Sequence, residues 1–223
     1  MKKLLLSTVV AAGALLATSA NAAFTINGGG AGDINTTNNT GVVPVFGESP
    51  VTGYYGSTVT LSGVGTITYE ILGYEAGAEN TFGYNGSSLY TSSPIYGENW
   101  ASVSGVSGEL DSGSFADDLL AFFFSTTDTT ATGDGGSNTV TNGDANAAPS
   151  VNFFATFGDG ATEGNVLYLF FDDRGGYPST DDNHDDLAVK LTFTPVSVPE
   201  PATIALFGAG MLGLGLARRR KAA

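Results

Sequence analysis

Short runs of apolar or alternating residues, separated by Gly, Ser, Thr and Asn, recur along the middle of the chain. Residues 66–72 are largely β-branched, residues 151–157 end at a Gly-Asp-Gly turn, and residues 166–171 are apolar throughout. Such runs are typical of β-strands, and an unbroken apolar run is typical of a strand buried on both faces. Residues 187–194 alternate, which places one set of side chains inward: Leu187, Val189, Leu191 and Phe193. The pattern predicts an all-β fold, a two-sheet β-sandwich of jelly-roll type.

Three segments fit the strand pattern less well. Residues 31–40 and 125–149 are rich in polar and small residues, so we predict loops there. Residues 115–124 are ambiguous: their first half is compatible with a helical turn, whereas the three phenylalanines at residues 122–124 favour the start of a core strand.

The chain begins with the pattern of an export signal. Lys2 and Lys3 precede an apolar stretch at residues 4–17, and Ala20 and Ala22 form a small-x-small cleavage site. This arrangement predicts that residues 1–22 are a helical secretory signal peptide and that the protein is exported through the secretory translocon.

A second hydrophobic segment lies near the C-terminus. Residues 202–217 form an apolar run of 16 residues, which is shorter than the roughly 20 that span a bilayer comfortably. A basic cluster follows the run directly: Arg218, Arg219, Arg220 and Lys221. We predict a hydrophobic transmembrane helix with a cytoplasmic stop cluster. The alternative is a C-terminal helix packed on the folded domain, and such a helix gains nothing from four adjacent basic residues.

Val198, Pro199, Glu200 and Pro201 stand immediately before this run. The motif, the apolar run and the basic cluster together resemble the PEP-CTERM sorting signal of Gram-negative bacteria. The resemblance implies that residues 198–223 are a sorting tail, which an exosortase-type enzyme recognises at the Pro-Glu-Pro motif and cuts. It further implies an inner-membrane intermediate, a final place at the cell surface or in the extracellular matrix, and an association with exopolysaccharide and biofilm.

Between the two signals lie residues 23–197, a body of 175 residues whose length suits one domain. Two basic and 21 acidic residues give this body a formal charge of −19. Nucleic acid is excluded as a partner because no basic patch is available to neutralise phosphates; divalent cations, neutral sugars or basic partners fit better. The chain has no cysteine, so disulfides and thiol catalysis are also excluded.

Acidic side chains and one amide are densest between the last two predicted strands, at Asp172, Asp173, Asp181, Asn183, Asp185 and Asp186. The residues at 181, 183 and 185 have the spacing of the first calcium ligands of an EF-hand. The sixth and twelfth positions of that loop are Asp and Thr here instead of Gly and Glu, so the segment is not an EF-hand. The cluster predicts a calcium site of another geometry. The alternative is an acidic turn whose side chains cap backbone N–H groups.

Two segments of the body also resemble passenger domains of PEP-CTERM proteins. Residues 170–173 and 181–189 are similar to the D-x-D-x-N-D-L-V-V start of a strand in exported bacterial β-sandwich domains. Residues 72–82 are similar to another segment of such passengers. His184, the only histidine, stands where Tyr or Phe is usual, and we expect it to be a solvated turn residue.

These observations predict an exported, non-enzymatic structural protein of the cell surface or biofilm matrix. A calcium-assisted glycan-binding module is the first alternative. Trp100, the only tryptophan, is its one large stacking platform, although partial burial in the core is the ordinary place for tryptophan. A glycan hydrolase needs a carboxylate pair in a cleft, and no pair stands out. An ice-binding protein needs a regular array of threonines, whereas the Thr-x-Thr pairs share no period.

Overall fold

The structure is a computed structural model that describes residues 23–34, 41–95, 99–127, 138–144, 151–173 and 184–196, with Gly208, Gly210 and Met211. Its regular elements, in chain order, are β1 (Ala23–Asn27), β2 (Gly30–Ile34), α1 (Val42–Phe46), β3 (Val51–Tyr55), β4 (Thr58–Tyr74), β5 (Asn80–Tyr84), β6 (Ser87–Thr91), β7 (Ala101–Ser102), β8 (Ser107–Leu119), β9 (Phe122–Thr126), β10 (Thr139–Thr141), β11 (Asn152–Thr156), β12 (Glu163–Gly164), β13 (Val166–Asp172) and β14 (Leu187–Pro195). The predicted strands at residues 66–72, 151–157, 166–171 and 187–194 correspond to β4, β11, β13 and β14, which confirms them.

The strands form two antiparallel sheets. The large sheet has the order β12-β1-β4-β14-β13-β11-β3-β2, and β7 and β8 also pair with β4. The small sheet has the order β10-β9-β5-β6. The long strand β4 organises the large sheet, because it pairs with β1 and β14 along one edge and with β8 along the other.

The middle strands of the large sheet bury both of their faces. In β13, Leu169 and Phe171 point into a first core, whereas Phe170 points into a second core on the opposite face. The predicted inward set of β14 is confirmed, since all four of its members belong to the first core. The apolar run of β13 therefore has a physical cause: from Leu169 to Phe171 neither face of the strand meets water, whereas Val166 at its start is exposed.

The first core lies between the two sheets and is built largely from phenylalanine. Phe124 of the small sheet stacks on Phe171 of the large sheet with ring centroids 5.0 Å apart and planes 8° apart. Phe122 packs edge-on against Phe153 at 5.2 Å. The all-β class is thereby confirmed, and two sheets facing one another across an apolar core are consistent with a sandwich. The jelly-roll connectivity stays a prediction.

The second core lies on the outer face of the large sheet, under α1 and the indole of Trp100. A Cβ atom added at Gly41 or Gly73 would lie 2.3 or 2.4 Å from that indole, so only glycine allows the ring this close to the backbone. Trp100 is partly buried and packs against the second core, as is usual for tryptophan.

The predicted loop at residues 31–40 is partly wrong, because Ala31 to Ile34 belong to β2. This strand pairs with β3, with Ala31 opposite Tyr54 and Asp33 opposite Thr52. Gly, Ala and Asp have low strand propensity, so the sequence carries little sign of the strand. Backbone pairing with β3 and the burial of Ile34 in the second core hold it in place.

Two further predictions need correction. The predicted loop at residues 125–149 contains the end of β9 and the short strand β10, whose Val140 lies opposite Phe124 and is buried in the first core. The helical turn considered for residues 115–119 is wrong, since these residues end β8. Asp117 adopts a positive φ of 60° where the pairing of β8 with β4 shifts register, so the local feature is a β-bulge instead of a helix.

The predicted terminal helices fall almost wholly outside the described residues. Residues 1–22 are not described, and of the predicted span only Gly208, Gly210 and Met211 are described, in helical conformation. In the described part of the chain, no helix has the length and apolar character needed to cross a membrane. The signal peptide and the transmembrane helix stay predictions.

Candidate functional site

Strand pairing brings the predicted acidic residues together at one end of β13 and β14. Phe171 lies opposite Leu187 in the antiparallel register. The two residues that follow Phe171, Asp172 and Asp173, therefore meet the two that precede Leu187, Asp185 and Asp186. We call these four residues the acidic cluster. The other two members of the predicted calcium set, at positions 181 and 183, lie outside the described residues.

The acidic cluster is buried, which sets it apart from an ordinary surface turn. The relative exposures of Asp172, Asp173, Asp185 and Asp186 are 0%, 3%, 0% and 7%. Removing a charged carboxylate from water costs several kcal/mol unless it is paired, hydrogen-bonded or neutralised. Four such groups at one end of a strand pair therefore demand a specific compensation.

Hydrogen bonds supply part of that compensation around Asp173 and Asp186. The backbone N–H of Asp173 donates to Asp186 Oδ2 at 2.7 Å. The side-chain amide of Asn80, at the start of β5, donates to Asp173 Oδ2 at 2.9 Å and to the backbone carbonyl of Asp186 at 3.4 Å. The capping role that the sequence left open as an alternative is thus present for Asp186. It coexists with burial, which the sequence did not predict.

A second group of contacts forms around His184. Its Nε2 is hydrogen-bonded to the Oδ1 atom of Asn152, and its Nδ1 lies 3.9 Å from Asp172 Oδ2. The imidazole packs against Tyr55 at 4.9 Å and is 1% exposed. The expectation of a solvated turn histidine is therefore wrong. His184 adopts a left-handed φ of 51°, and packing against aromatic rings of the second core removes it from water.

Burial dominates the electrostatics of Asp186. Desolvation raises the pKa of Asp186 well above its ordinary value, and the neighbouring Asp173 and Asp172 raise the pKa further. The hydrogen bond from the Asp173 backbone acts in the opposite direction and lowers the pKa. Burial and the neighbouring carboxylates thus disfavour the charged form of Asp186.

The donor atoms around Asp173 and Asp186 are oxygens of the kind that hard cations prefer. The Oδ1 atom of Asn80 is buried and has no hydrogen-bond partner among the described residues. Within those same residues, however, no three His, Asp or Glu side chains are grouped so as to hold a metal ion. The calcium site thus stays a prediction, and a complete oxygen shell would need the residues at 181 and 183.

Sequence reasoning missed Asn80, which is a polar partner of the acidic cluster, and Asn152, which is a partner of His184. Each is the first residue of a strand and is almost completely buried. An amide at the start of an apolar strand was the available signal. It was weak, because Asn is equally common in exposed turns.

Comparison with known proteins bears on the C-terminal tail. Residues 197–221 match the family model described as the PEP-CTERM protein-sorting motif. The chain carries a PEP-CTERM sorting motif. This confirms the resemblance based on Val198, Pro199, Glu200 and Pro201, and it supports an exported protein that is sorted by an exosortase-type enzyme.

The PEP-CTERM motif also implies that sorting takes place at a membrane before cleavage. Apart from the three residues named above, it lies outside the described part of the chain. No curated protein and no solved structure matches the chain.

Proposed function

We propose that the protein is an exported, non-enzymatic structural component of the cell surface or biofilm matrix. The PEP-CTERM motif at residues 197–221 is the observation that carries this proposal, because it supports export and sorting. The body that it delivers is an all-β domain without cysteine and with a strong negative charge, which favours a solvated extracellular protein. Exopolysaccharide is the proposed neighbour of the sorted protein.

Cell fractionation tests the sorting step. We expect the full-length chain to be processed and to leave the inner membrane. A variant with alanine at Pro199, Glu200 and Pro201 should accumulate unprocessed in the membrane fraction. Val196→Ala is the matched control, because it changes an exposed residue just before the motif. An unchanged location of the triple variant would contradict sorting through the motif. Recovery of the processed protein only as a freely soluble species would contradict a surface or matrix role.

The non-enzymatic part of the proposal has a separate test. The purified protein is incubated with cell-surface polysaccharide from the bacterium that produces it, and newly formed reducing ends are measured over time. No increase is expected. A steady release of reducing ends that depends on protein concentration would identify a hydrolase and overturn this part of the proposal.

Calcium is the proposed ligand of the acidic cluster. The burial of four carboxylates supports it, since a divalent cation would neutralise their mutual repulsion. Calcium accepts 6–8 oxygen ligands in irregular geometry. The proposed donors are the acidic cluster, the residues at 181 and 183, and the amide oxygen of Asn80. In this proposal calcium joins β13 to β14 and stabilises the sandwich.

Thermal unfolding of the full-length chain in calcium and in chelator tests this ligand. Binding to the folded state raises the free energy of unfolding by about 2.7 kcal/mol at a hundredfold excess over the dissociation constant. Magnesium at the same ionic strength is the control, because it demands octahedral geometry and dehydrates reluctantly. An equal rise in the unfolding temperature with both ions, or no rise with calcium, would contradict the calcium proposal. The sorting proposal would be unaffected.

A further inference from the structure

The outer face of the large sheet carries a groove that lies apart from the acidic cluster. Two cavities of about 160 and 430 Å³ open on this face, and Lys190 lines both. We infer that this groove binds a neutral oligosaccharide. The inference is independent of calcium and goes beyond a structural role, since none of the lining residues belongs to the acidic cluster.

The smaller cavity has an aromatic wall. Trp100 and Tyr168 both line it, together with Leu72. The indole Nε1 of Trp100 donates to Ser102 Oγ at 3.1 Å, and the ring of Tyr168 packs against Phe46 at 4.6 Å. Both rings are therefore held in place before a ligand arrives, which reduces the entropy lost on binding. Rings of this kind combine a flat apolar surface with a polar tip, as a sugar ring does with its C–H face and hydroxyl edge.

The larger cavity has a polar wall that the strand register creates. Thr68 lies opposite Thr192, and Glu70 lies opposite Lys190. The ammonium group of Lys190 forms an ion pair with the carboxylate of Glu70. Hydroxyl, carboxylate and ammonium groups thus line one surface as donors and acceptors. A ligand rich in hydroxyl groups matches such a mixed wall.

The shape of the groove favours a chain of sugars over a single one. Alternate residues of β4, from Leu72 through Glu70 to Thr68, pass from the aromatic wall to the polar wall. Each such step advances about 6.6 Å along the strand, at about 3.3 Å per residue. The larger cavity also falls within the range of about 300–1,000 Å³ that is typical of small-molecule sites.

Charge selects a neutral ligand. Lys190 is the only lysine or arginine among the described residues, and Glu70 already neutralises it. The rest of the body is strongly acidic, so a polyuronate or phosphorylated glycan meets repulsion, and the described residues offer no further lysine or arginine to compensate. The occupant is therefore a neutral oligosaccharide.

An array of immobilised oligosaccharides tests the inference with the purified full-length chain. Neutral oligomers of glucose, galactose and mannose are printed beside oligomers of uronic acids. We expect binding to at least one neutral oligomer and none to the uronates. The absence of binding to every neutral oligomer, or binding to uronates alone, would overturn the inference.

Two substitutions locate the site. Trp100→Ala removes the stacking surface and should weaken binding by at least about tenfold, which corresponds to 1.4 kcal/mol. Because this change also disturbs the second core, Thr192→Val provides an isosteric test and should weaken binding about two- to tenfold. Thr194→Val is its matched control, since Thr194 lies on the same strand and does not line the groove. Equal binding by all three variants would place the saccharide elsewhere and contradict the assignment.

Discussion

At the scale of single residues, the fold depends on polar groups in unusual places. Asp173 and Asp186 are buried against each other, and Asn80 satisfies both from a distant strand. Tyr84 is also largely buried, and its hydroxyl donates to Asp111 Oδ2 at 3.4 Å. Burial raises the pKa of Asp186 and of Tyr84, so we expect the contributions of these two groups to stability to depend on pH.

Replacing Asp186 by Asn should have opposite effects with and without calcium. The raised pKa of Asp186 means that the folded state holds the proton more tightly, so stability is lost as pH rises above the ordinary value of 3.8 and through the raised pKa of the folded state. At neutral pH in chelator, Asp186→Asn removes this penalty and should raise the free energy of unfolding. The same variant should lose the stabilisation by calcium. Chemical unfolding of both proteins in calcium and in chelator measures these two effects.

Glu163→Gln is the control, because it changes an exposed carboxylate. If Asp186→Asn were still stabilised by calcium, Asp186 would be excluded as a ligand.

Tyr84 should make the protein sensitive to alkaline pH. Burial, followed by the charge of Asp111, raises the pKa of Tyr84 from 10.0 to about 12. The folded state therefore binds more protons than the unfolded state between these values, and stability falls as pH rises through this window. Tyr84→Phe should flatten the decline in unfolding free energy between pH 10 and 12. Tyr54→Phe is the control, because its hydroxyl donates to a neutral backbone carbonyl; an equal flattening there would disprove a specific effect.

At the scale of elements, apolar strands were predictable and polar edge strands were not. The runs in β13 and β14 carry their own signal, since alternation and continuous apolarity reflect which faces are buried. By contrast, β2 and the end of β8 are rich in Gly, Ser and Asp. They become strands because a neighbouring strand offers hydrogen bonds, and this cause lies elsewhere in the chain. The bulge at Asp117 likewise depends on the register with β4.

The contact between the two sheets should depend strongly on Phe124. Its ring is buried and stacks on Phe171, so Phe124→Ala leaves a cavity in the first core. We expect a loss of about 3–5 kcal/mol in the free energy of unfolding. Leu119→Ala is the matched control at an exposed position and should change stability by less than about 0.5 kcal/mol. Similar losses for both variants, measured by denaturant unfolding, would contradict the packing of the small sheet on the large one.

At the scale of the whole molecule, the two main features are the negative charge of the body and the sorting motif at the C-terminus. The two ends of the chain hold six of its eight basic residues, so the predicted mature body has a formal charge of −19. Self-repulsion of this size keeps a protein soluble and also destabilises its compact state. The PEP-CTERM motif acts at the same scale, because it concerns the route of the protein and not the chemistry of its body.

Monovalent salt should therefore stabilise the protein. Raising sodium chloride from about 0.1 M to about 1 M shortens the screening length from about 10 Å to about 3 Å. We expect the midpoint of thermal unfolding to rise steadily over this range, measured in chelator so that calcium does not contribute. A constant or falling midpoint would show that self-repulsion of the acidic body does not limit its stability.

The sorting motif, the strand class and the position of the acidic residues could be obtained from the sequence alone, because each is a local property of neighbouring residues. Hydrophobic segments, basic clusters and alternation need no partner from elsewhere in the chain. The burial of the acidic cluster could be recognised only from the tertiary structure. Asn80 and Asp173 are 93 residues apart, and the outer groove combines β4 with β14, Trp100 and α1. Folding brings such distant groups together and decides which of them lose contact with water. That loss raises the pKa of a buried aspartate, which no local sequence pattern reports.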